Sequence, residues 1–453
     1  MRVTAEPSPG RQDAPPLRDE PFDRLDALSP EELARWWRRR VRRVLEIVYD
    51  ELPFYRRRFD AAGFHPREFR RLEDHQRVPT FTKADILDAQ RAVGRFDIGI
   101  ERGADAPGTV LAATSGTEGT SFFALPPRWR RAQGRSSLRA HWWAGLRPGT
   151  PFLLSAPAWH TYAVVQTWWT EKLGLPAVVV AGSYLPRFAP RIVDAILTFR
   201  PRFATLFLPM VFSLIAEAKR RGVEAKTLFA SVETLIVSGA PITPGMRAQL
   251  ERETEIARIV ELAGSSENLL AVECRARTGL HLVPDTCYAE VIDPDTGRAA
   301  FPGERGRVVH TALVPWGSVY VRYDGGDVGV LDTSPCACGL PSPRIKLLGR
   351  AEEGFSLGGR ALLPYDVQLA VEEELPELAG MTFAILREGL AAGRLELATA
   401  DLAPNGTSVG ALAPALERRL SARLQSPVRV RVSGSLSLKF RGVPALVGEG
   451  EIG

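Results

Sequence analysis

Three groups of residues in this sequence could do chemistry. The first is Thr114-Ser115-Gly116-Thr117-Glu118-Gly119-Thr120, which directly follows an apolar run at residues 109–113. Its two glycines let the backbone wrap closely and its hydroxyls offer donors, a combination suited to a polyphosphate. It is not a P-loop, because no Gly-Lys-Ser/Thr closes it. The second group is thiol-based. All four cysteines of the chain, Cys274, Cys287, Cys336 and Cys338, fall within 65 residues, with His281 among them. Cys274, His281, Cys336 and Cys338 match a closed, four-coordinate structural zinc site, with Cys287 as the alternative to His281. A disulfide framework is not expected, since the polar, proline-rich start is no secretory leader. The third group is lysine. Only six of the 58 basic residues are lysines (Lys83, Lys172, Lys219, Lys226, Lys346 and Lys439), so each stands against a compositional preference for arginine and is a functional candidate.

These residues need elements to hold them. With 453 residues, 45% hydrophobic and 25% charged, the chain can bury cores for at least two domains. No apolar run approaches a membrane span, which favours a cytoplasmic location with no membrane partner. The net charge of +5 is mild. The basic run at residues 38–43 lies on a helical pattern and reads as a solvated face, so no nucleic-acid partner is expected. Residues 1–25 lack apolar periodicity and are expected to be a disordered tail. A helix is expected over residues 30–51, with Ser29 as N-cap and Glu32 completing a capping box. Short strands at 109–113, 152–155, 177–180, 205–208, 234–238 and 258–262 alternate with helices at 191–199, 211–221 and 244–253. That alternation predicts an α/β fold with a parallel sheet. Residues 282–330 read as an antiparallel β section. From 349 onward, helices at 365–374 and 409–424 and strands at 381–386, 395–400 and 428–432 predict a small α+β domain. The expected division is 26–348 for a large N-terminal domain and 349–453 for a small mobile one.

Further motifs follow the first loop in order: Ser238-Gly239-Ala240-Pro241, Ala263-Gly264-Ser265-Ser266-Glu267, Arg322-Tyr323-Asp324-Gly325-Gly326-Asp327, Gly349-Arg350 and the late Lys439. In this order the chain resembles the adenylate-forming superfamily of acyl-CoA synthetases, peptide-synthetase adenylation domains and luciferases. Leu52-Pro53-Phe54-Tyr55-Arg56, the segment from Val78 to Asp85, and Cys336-Ala337-Cys338-Gly339 make it most similar to the phenylacetate–CoA ligase branch.

The resemblance implies a ligase that joins a carboxylic acid, expected to be aromatic, to the α-phosphate of ATP and then passes the acyl group to coenzyme A. A carrier-protein thiol or a nitrogen nucleophile is the alternative acceptor, and a non-catalytic binder of the same fold the alternative class. Residues Thr114, Ser115, Gly116, Thr117, Gly119 and Thr120 would hold phosphates, and Ser238, Gly239, Ala240 and Pro241 would line the adenine. Asp327 would bind the ribose, Arg350 the nucleotide, and Glu267 a Mg²⁺ ion. Lys439 would reach the reacting groups, and Glu352 stands at the usual aspartate hinge. Trp159, His160, Tyr162, Ala263 and Gly264 would shape the acyl pocket. A homodimer is an open expectation. The chain departs from the pattern at Glu118, at Thr120-Ser121 where lysine-proline is common, at Ala263 in place of an aromatic residue, and at Leu438 in place of the glycine before the lysine.

Overall fold

The computed structural model describes residues 21–113, 121–156, 161–180, 186–401, 403, 406–433 and 445–448. The first helix, Pro30–Glu51, starts where the sequence places it. Ser29 Oγ accepts from Glu32 N at 3.2 Å, and Ser29 N donates to Glu32 Oε2 at 2.8 Å. Leu33, Trp37, Val41, Val44, Leu45 and Val48 form its buried stripe, while Arg38, Arg39, Arg40 and Arg43 face solvent. The expected tail is corrected at its end. Asp23 and Asp26 both bind the guanidinium of Arg139, which is fully buried, and Phe22 packs edge-on against Trp142, so residues 22–25 are fixed to the domain.

One twelve-stranded sheet runs through the larger part of the molecule. Five of its strands form a parallel part, in the order Ala177–Val180, Phe152–Ser155, Phe203–Phe207, Thr234–Ser238 and Arg258–Gly264. Along these strands alternate residues feed opposite cores. Leu153, Ala204, Leu206, Leu235, Val237 and Ile259 pack against the helices Ala189–Phe199, Leu208–Arg220 and Pro244–Thr254. Phe152, Leu154, Phe203, Ile236 and Val260 pack against Pro127–Trp143 and Thr161–Leu173. Burial on both faces explains why these strands are mostly apolar, without a strict apolar–polar alternation. The strand expected at 205–208 starts two residues earlier and ends at Phe207, because Leu208-Pro209 opens the next helix.

Beyond Arg258–Gly264 the sheet turns antiparallel through Leu269–Glu273, Leu280–Leu282, Arg344–Arg350, Tyr323–Asp332, Arg305–Ala312 and Cys287–Ile292. The C-terminal segment builds a four-stranded sheet of Val428–Ser433, Leu395–Ala400, Phe383–Leu386 and Ala445–Val447. It has its own core, in which Val367, Val371, Phe383, Leu397, Leu416 and Leu420 are fully buried. Among the described residues no helix is long and apolar enough to cross a membrane.

Candidate active site

The site lies where the parallel part of the sheet meets the antiparallel part, off the carboxyl ends of the parallel strands. Two glycines shape its floor. Gly239 has φ +92°, and a Cβ there would sit 2.9 Å from Phe207 Cδ1. A Cβ on Gly264 would sit 3.0 Å from the Asn268 carbonyl, which accepts from Ser265 N at 2.9 Å and closes the turn into the next strand. Only glycine lets these two loops approach so closely. They border a cavity of about 390 Å³. Ser238, Gly239, Ala240, Pro241, Ala263 and Gly264 line it, together with Glu267, Asp327, Arg350, Glu352 and Tyr162. Eleven residues singled out from the sequence are thus brought to one space.

Asp327 and Arg350 are cross-strand partners in the Tyr323–Asp332 and Arg344–Arg350 pair. Arg350 Nη1 donates to Asp327 Oδ1 at 3.0 Å, and its Nε donates to Glu352 Oε1 at 3.0 Å. Desolvation pushes the Asp327 carboxyl above its ordinary value, and the Arg350 guanidinium pulls it back. The pair therefore presents a fixed acceptor beside a fixed cation. Glu267 is buried at the 265–268 turn, where Tyr323 Oη donates to its Oε1 at 3.4 Å. Such a carboxylate suits a hard cation such as Mg²⁺.

Lys83 also lines the cavity, and it was not singled out beyond its scarcity. Its position follows from pairing. The two-residue strand Phe81–Thr82 runs parallel to Tyr323–Asp324, so the helix Lys83–Val93 begins beside Gly325, with Thr82 and Asp85 forming its capping box. A second residue outside the expected set is Glu261, where burial and the neighbouring Glu273 carboxylate push the carboxyl up to about 8. At neutral pH it can donate a hydrogen bond to whatever the cavity holds.

Two helices form another wall. Trp129, Gln133 and Ser137, spaced four apart on Pro127–Trp143, face Thr161, Tyr162 and Val165 of Thr161–Leu173. Behind them His141 is fully buried, and its Nδ1 lies 2.7 Å from the Ser137 carbonyl. A carbonyl only accepts, so Nδ1 carries the proton and Nε2 accepts from Tyr162 Oη at 3.1 Å. Burial pushes His141 down to about 4, which keeps it neutral. The loop 114–120, Trp159, His160 and Lys439 lie outside the described residues.

The structure brings the four expected metal-ligand residues together. Ligand atoms of Cys274, His281, Cys336 and Cys338 lie within 4.8 Å of one another. The Cys274–Cys336 sulfurs are 3.7 Å apart, and Cys338 Sγ is 3.2 Å from His281 Nε2. Tetrahedral zinc with bonds of about 2.0–2.3 Å needs ligand–ligand edges of about 3.5–3.8 Å, which the sulfur pair matches and the shorter Cys338–His281 pair would have to open slightly to reach. His281 Nδ1 lies 2.6 Å from the Ser342 carbonyl, so it donates there and leaves Nε2 free to ligate. A hydrogen bond from Cys338 holds the Cys274 thiol well below its ordinary value. Cys287 is excluded as a ligand. It is fully buried elsewhere, contacts the Leu269 carbonyl, and is pushed up to about 12 by burial.

Comparison with known proteins agrees with this geometry. Residues 131–311 match the family model described as AMP-binding enzyme. A phenylacetate-coenzyme A ligase of Thermus thermophilus is 30% identical over 377 residues, covering 81% of both chains. The phenylacetate-coenzyme A ligase of Escherichia coli is 28% identical, covering 77% of this chain and 78% of the relative. A crystal structure of 2-hydroxyisobutyryl-CoA ligase in the postadenylation state, in complex with 2-HIB-AMP, has the same fold. Its TM-score is 0.82 at 22% identity, covering 94% of this chain and 92% of the other. With the nucleotide-type motifs gathered at one cavity and this coverage by a 30% identical relative, the chain belongs to the AMP-binding enzymes, on their phenylacetate–coenzyme A ligase branch.

Proposed function

We propose that this enzyme activates a compact carboxylic acid with ATP and transfers the acyl group to coenzyme A. One observation carries the reading: a single cavity at the switch between the sheet's two parts holds Ser238–Pro241, Glu267 and the Asp327–Arg350 pair. In the first step a carboxylate oxygen attacks the α-phosphorus, and pyrophosphate leaves. Two anions must meet, so catalysis is chiefly charge neutralisation and alignment. Lys83 and Arg350 supply cations at the cavity. Asp327 takes the ribose hydroxyls, Ser238 to Pro241 flank the adenine, and Glu267 would hold Mg²⁺. The loop from Thr114 to Thr120 takes the outer phosphates, through backbone N–H groups and hydroxyls more than through a lysine. In the second step the thiol sulfur of coenzyme A attacks the acyl carbonyl, AMP leaves, and the thiol proton is released.

Residues 26–348 and 349–453 act as two units that turn about Glu352. Lys439, on the smaller one, reaches the reacting groups only when that unit closes. Cys274, His281, Cys336 and Cys338 would hold a zinc ion and so tie the loop between strands Tyr323–Asp332 and Arg344–Arg350 to the strands beside it. Its role is structural, because four closed ligands leave no open position. The relatives named for phenylacetate, with Trp129 and Tyr162 on the cavity wall, support an aromatic acid. Mass spectrometry of products tests the reading. AMP and an acyl-CoA thioester should appear together in equal amounts, whereas ADP, or AMP with no thioester, would refute it.

A further inference from the structure

The wall built by the helices Pro127–Trp143 and Thr161–Leu173 is more polar than a plain aryl ring requires. Gln133 and Asn268, each 4% exposed, face one another there, and Gln133 Nε2 donates to Asn268 Oδ1 at 2.9 Å. Two primary amides paired this way leave one amide N–H₂ unspent, whichever way they are turned. In the structure it is Asn268 Nδ2, which is enclosed and has no hydrogen-bond partner. The hydroxyl of Thr161, a residue 7% exposed, is also without a partner. Both residues line the cavity. Enclosed polar atoms are costly to leave unmade; of the four cavity-lining residues that carry one (Thr161, Asn268, His310 and Gln368), the two on this wall point to a ligand that completes them. Neither helix contributes a lysine or arginine to the lining. The missing group is therefore a neutral acceptor, since a second carboxylate would have no cation on this wall.

We propose that Gln133, Asn268 and Thr161 form a polar subsite selecting an aromatic acid that carries a neutral hydrogen-bond acceptor, such as a ring hydroxyl, ether or ring nitrogen. The inference rests on the acid-activating reading above and deepens it to a substrate class. Asn268 directly follows Glu267, so the subsite adjoins the reacting end of the cavity and reads a group on a compact, single-ring acid.

The experiment compares kcat/KM for acid-dependent AMP formation over matched pairs. These are benzoate against its three hydroxy, three methoxy and three aza counterparts, and phenylacetate against its hydroxy forms, with benzene dicarboxylates as the charged control. At least one neutral polar acid should exceed its unsubstituted partner by at least about 100-fold, against the about 10⁴–10⁵-fold by which a site built to hydrogen-bond a substrate group rejects the analogue lacking it. Gln133→Leu and Asn268→Leu should each shrink that ratio to a few-fold by losing far more activity on the polar acid than on its unsubstituted partner. A merely structural role would lower both members equally. Benzoate or phenylacetate serving the wild type as well as every substituted acid would overturn the subsite and leave the ligase reading intact. That comparison needs no variant to fold. Preference for a dicarboxylate would also overturn it. AMP formation with no acid at all would sink the ligase reading and the subsite with it.

Discussion

Glu372 on the helix Pro364–Glu374 holds the C-terminal segment to the larger unit, and breaking its contacts gives a sharp test of how the cavity is closed. Its carboxylate is 9% exposed and reaches the start of the helix Pro244–Thr254. There it accepts from Thr243 Oγ1 at 2.5 Å and from Gly245 N at 2.8 Å. Gln368, a neighbour on its own helix that lines the cavity, donates to it at 2.8 Å. Glu372→Gln keeps the size but leaves one neutral acceptor oxygen for three donors and removes the charge opposite a helix N-terminus. Losing a charge-assisted bond costs about 1.5–3 kcal/mol, and the dipole contribution adds up to about 1. The expected loss is therefore about 2–3 kcal/mol.

A second substitution at the same contact should act against its usual sign. Gly245→Ala in a helix normally gains up to about 1 kcal/mol. Here the new Cβ would sit 2.4 Å from Glu372 Cδ, so it should expel the carboxylate and destabilise. The assay is hydrogen exchange over residues 240–250 together with urea unfolding. A loss of 2–3 kcal/mol speeds exchange of these amides by about 30–150-fold. At roughly 2 kcal/mol per molar urea it lowers the midpoint by about 1 M. Unchanged exchange in Glu372→Gln, with a more stable Gly245→Ala, would show that this contact does not hold the two units together.

Other outcomes follow from the same geometry. Protein purified without added zinc should carry one zinc per chain, and Cys336→Ala should lower stability rather than selectively block adenylation; metal-free protein that is folded and active would refute the site. Lys83→Ala should slow adenylation by about 10²–10³-fold, the effect of removing one preorganised charge donor, and a rate within threefold of wild type would exclude it. Lys439→Ala should cut adenylation on the same scale yet spare thioester formation from supplied acyl-AMP; equal loss of both steps would rule out that role. His141 and His310 are both buried and pushed down to about 4. Each unfolded imidazole gains a proton below about 6.5, so stability is full above that pH and falls as pH drops toward 4, by up to about 3 kcal/mol per histidine. His310→Phe should flatten this acid limb in urea unfolding between pH 7.5 and 5, and a flat wild-type profile would contradict the burial argument.

Legibility in the sequence followed locality. Parallel strands such as Thr234–Ser238 stood out because both faces are buried and the middle of the run, residues 235–237, is apolar, and their helices carried clear periodicity. The zinc ligands stood out because cysteine is rare and clustered, although only folding could separate Cys287 from the set. Asp327 and Arg350 are 23 residues apart, and nothing local says that they pair; their likeness to family motifs named them, and strand register joined them. Lys83, Gln133 and Asn268 were missed as site residues for the same reason. Lys83 depends on a two-residue parallel strand pair, and Gln133 meets Asn268 across 135 positions. The tail boundary was misplaced because Asp23 and Asp26 look solvated until Arg139 is seen buried against them.

The most direct test of acid activation is exchange of labelled pyrophosphate into ATP, without coenzyme A, across the panel of aromatic acids. Exchange that requires both an acid and Mg²⁺, and that falls by about 10²–10³-fold in Lys83→Ala, is the predicted result. Absence of exchange with every acid, or ATP cleaved to ADP and phosphate, would contradict it.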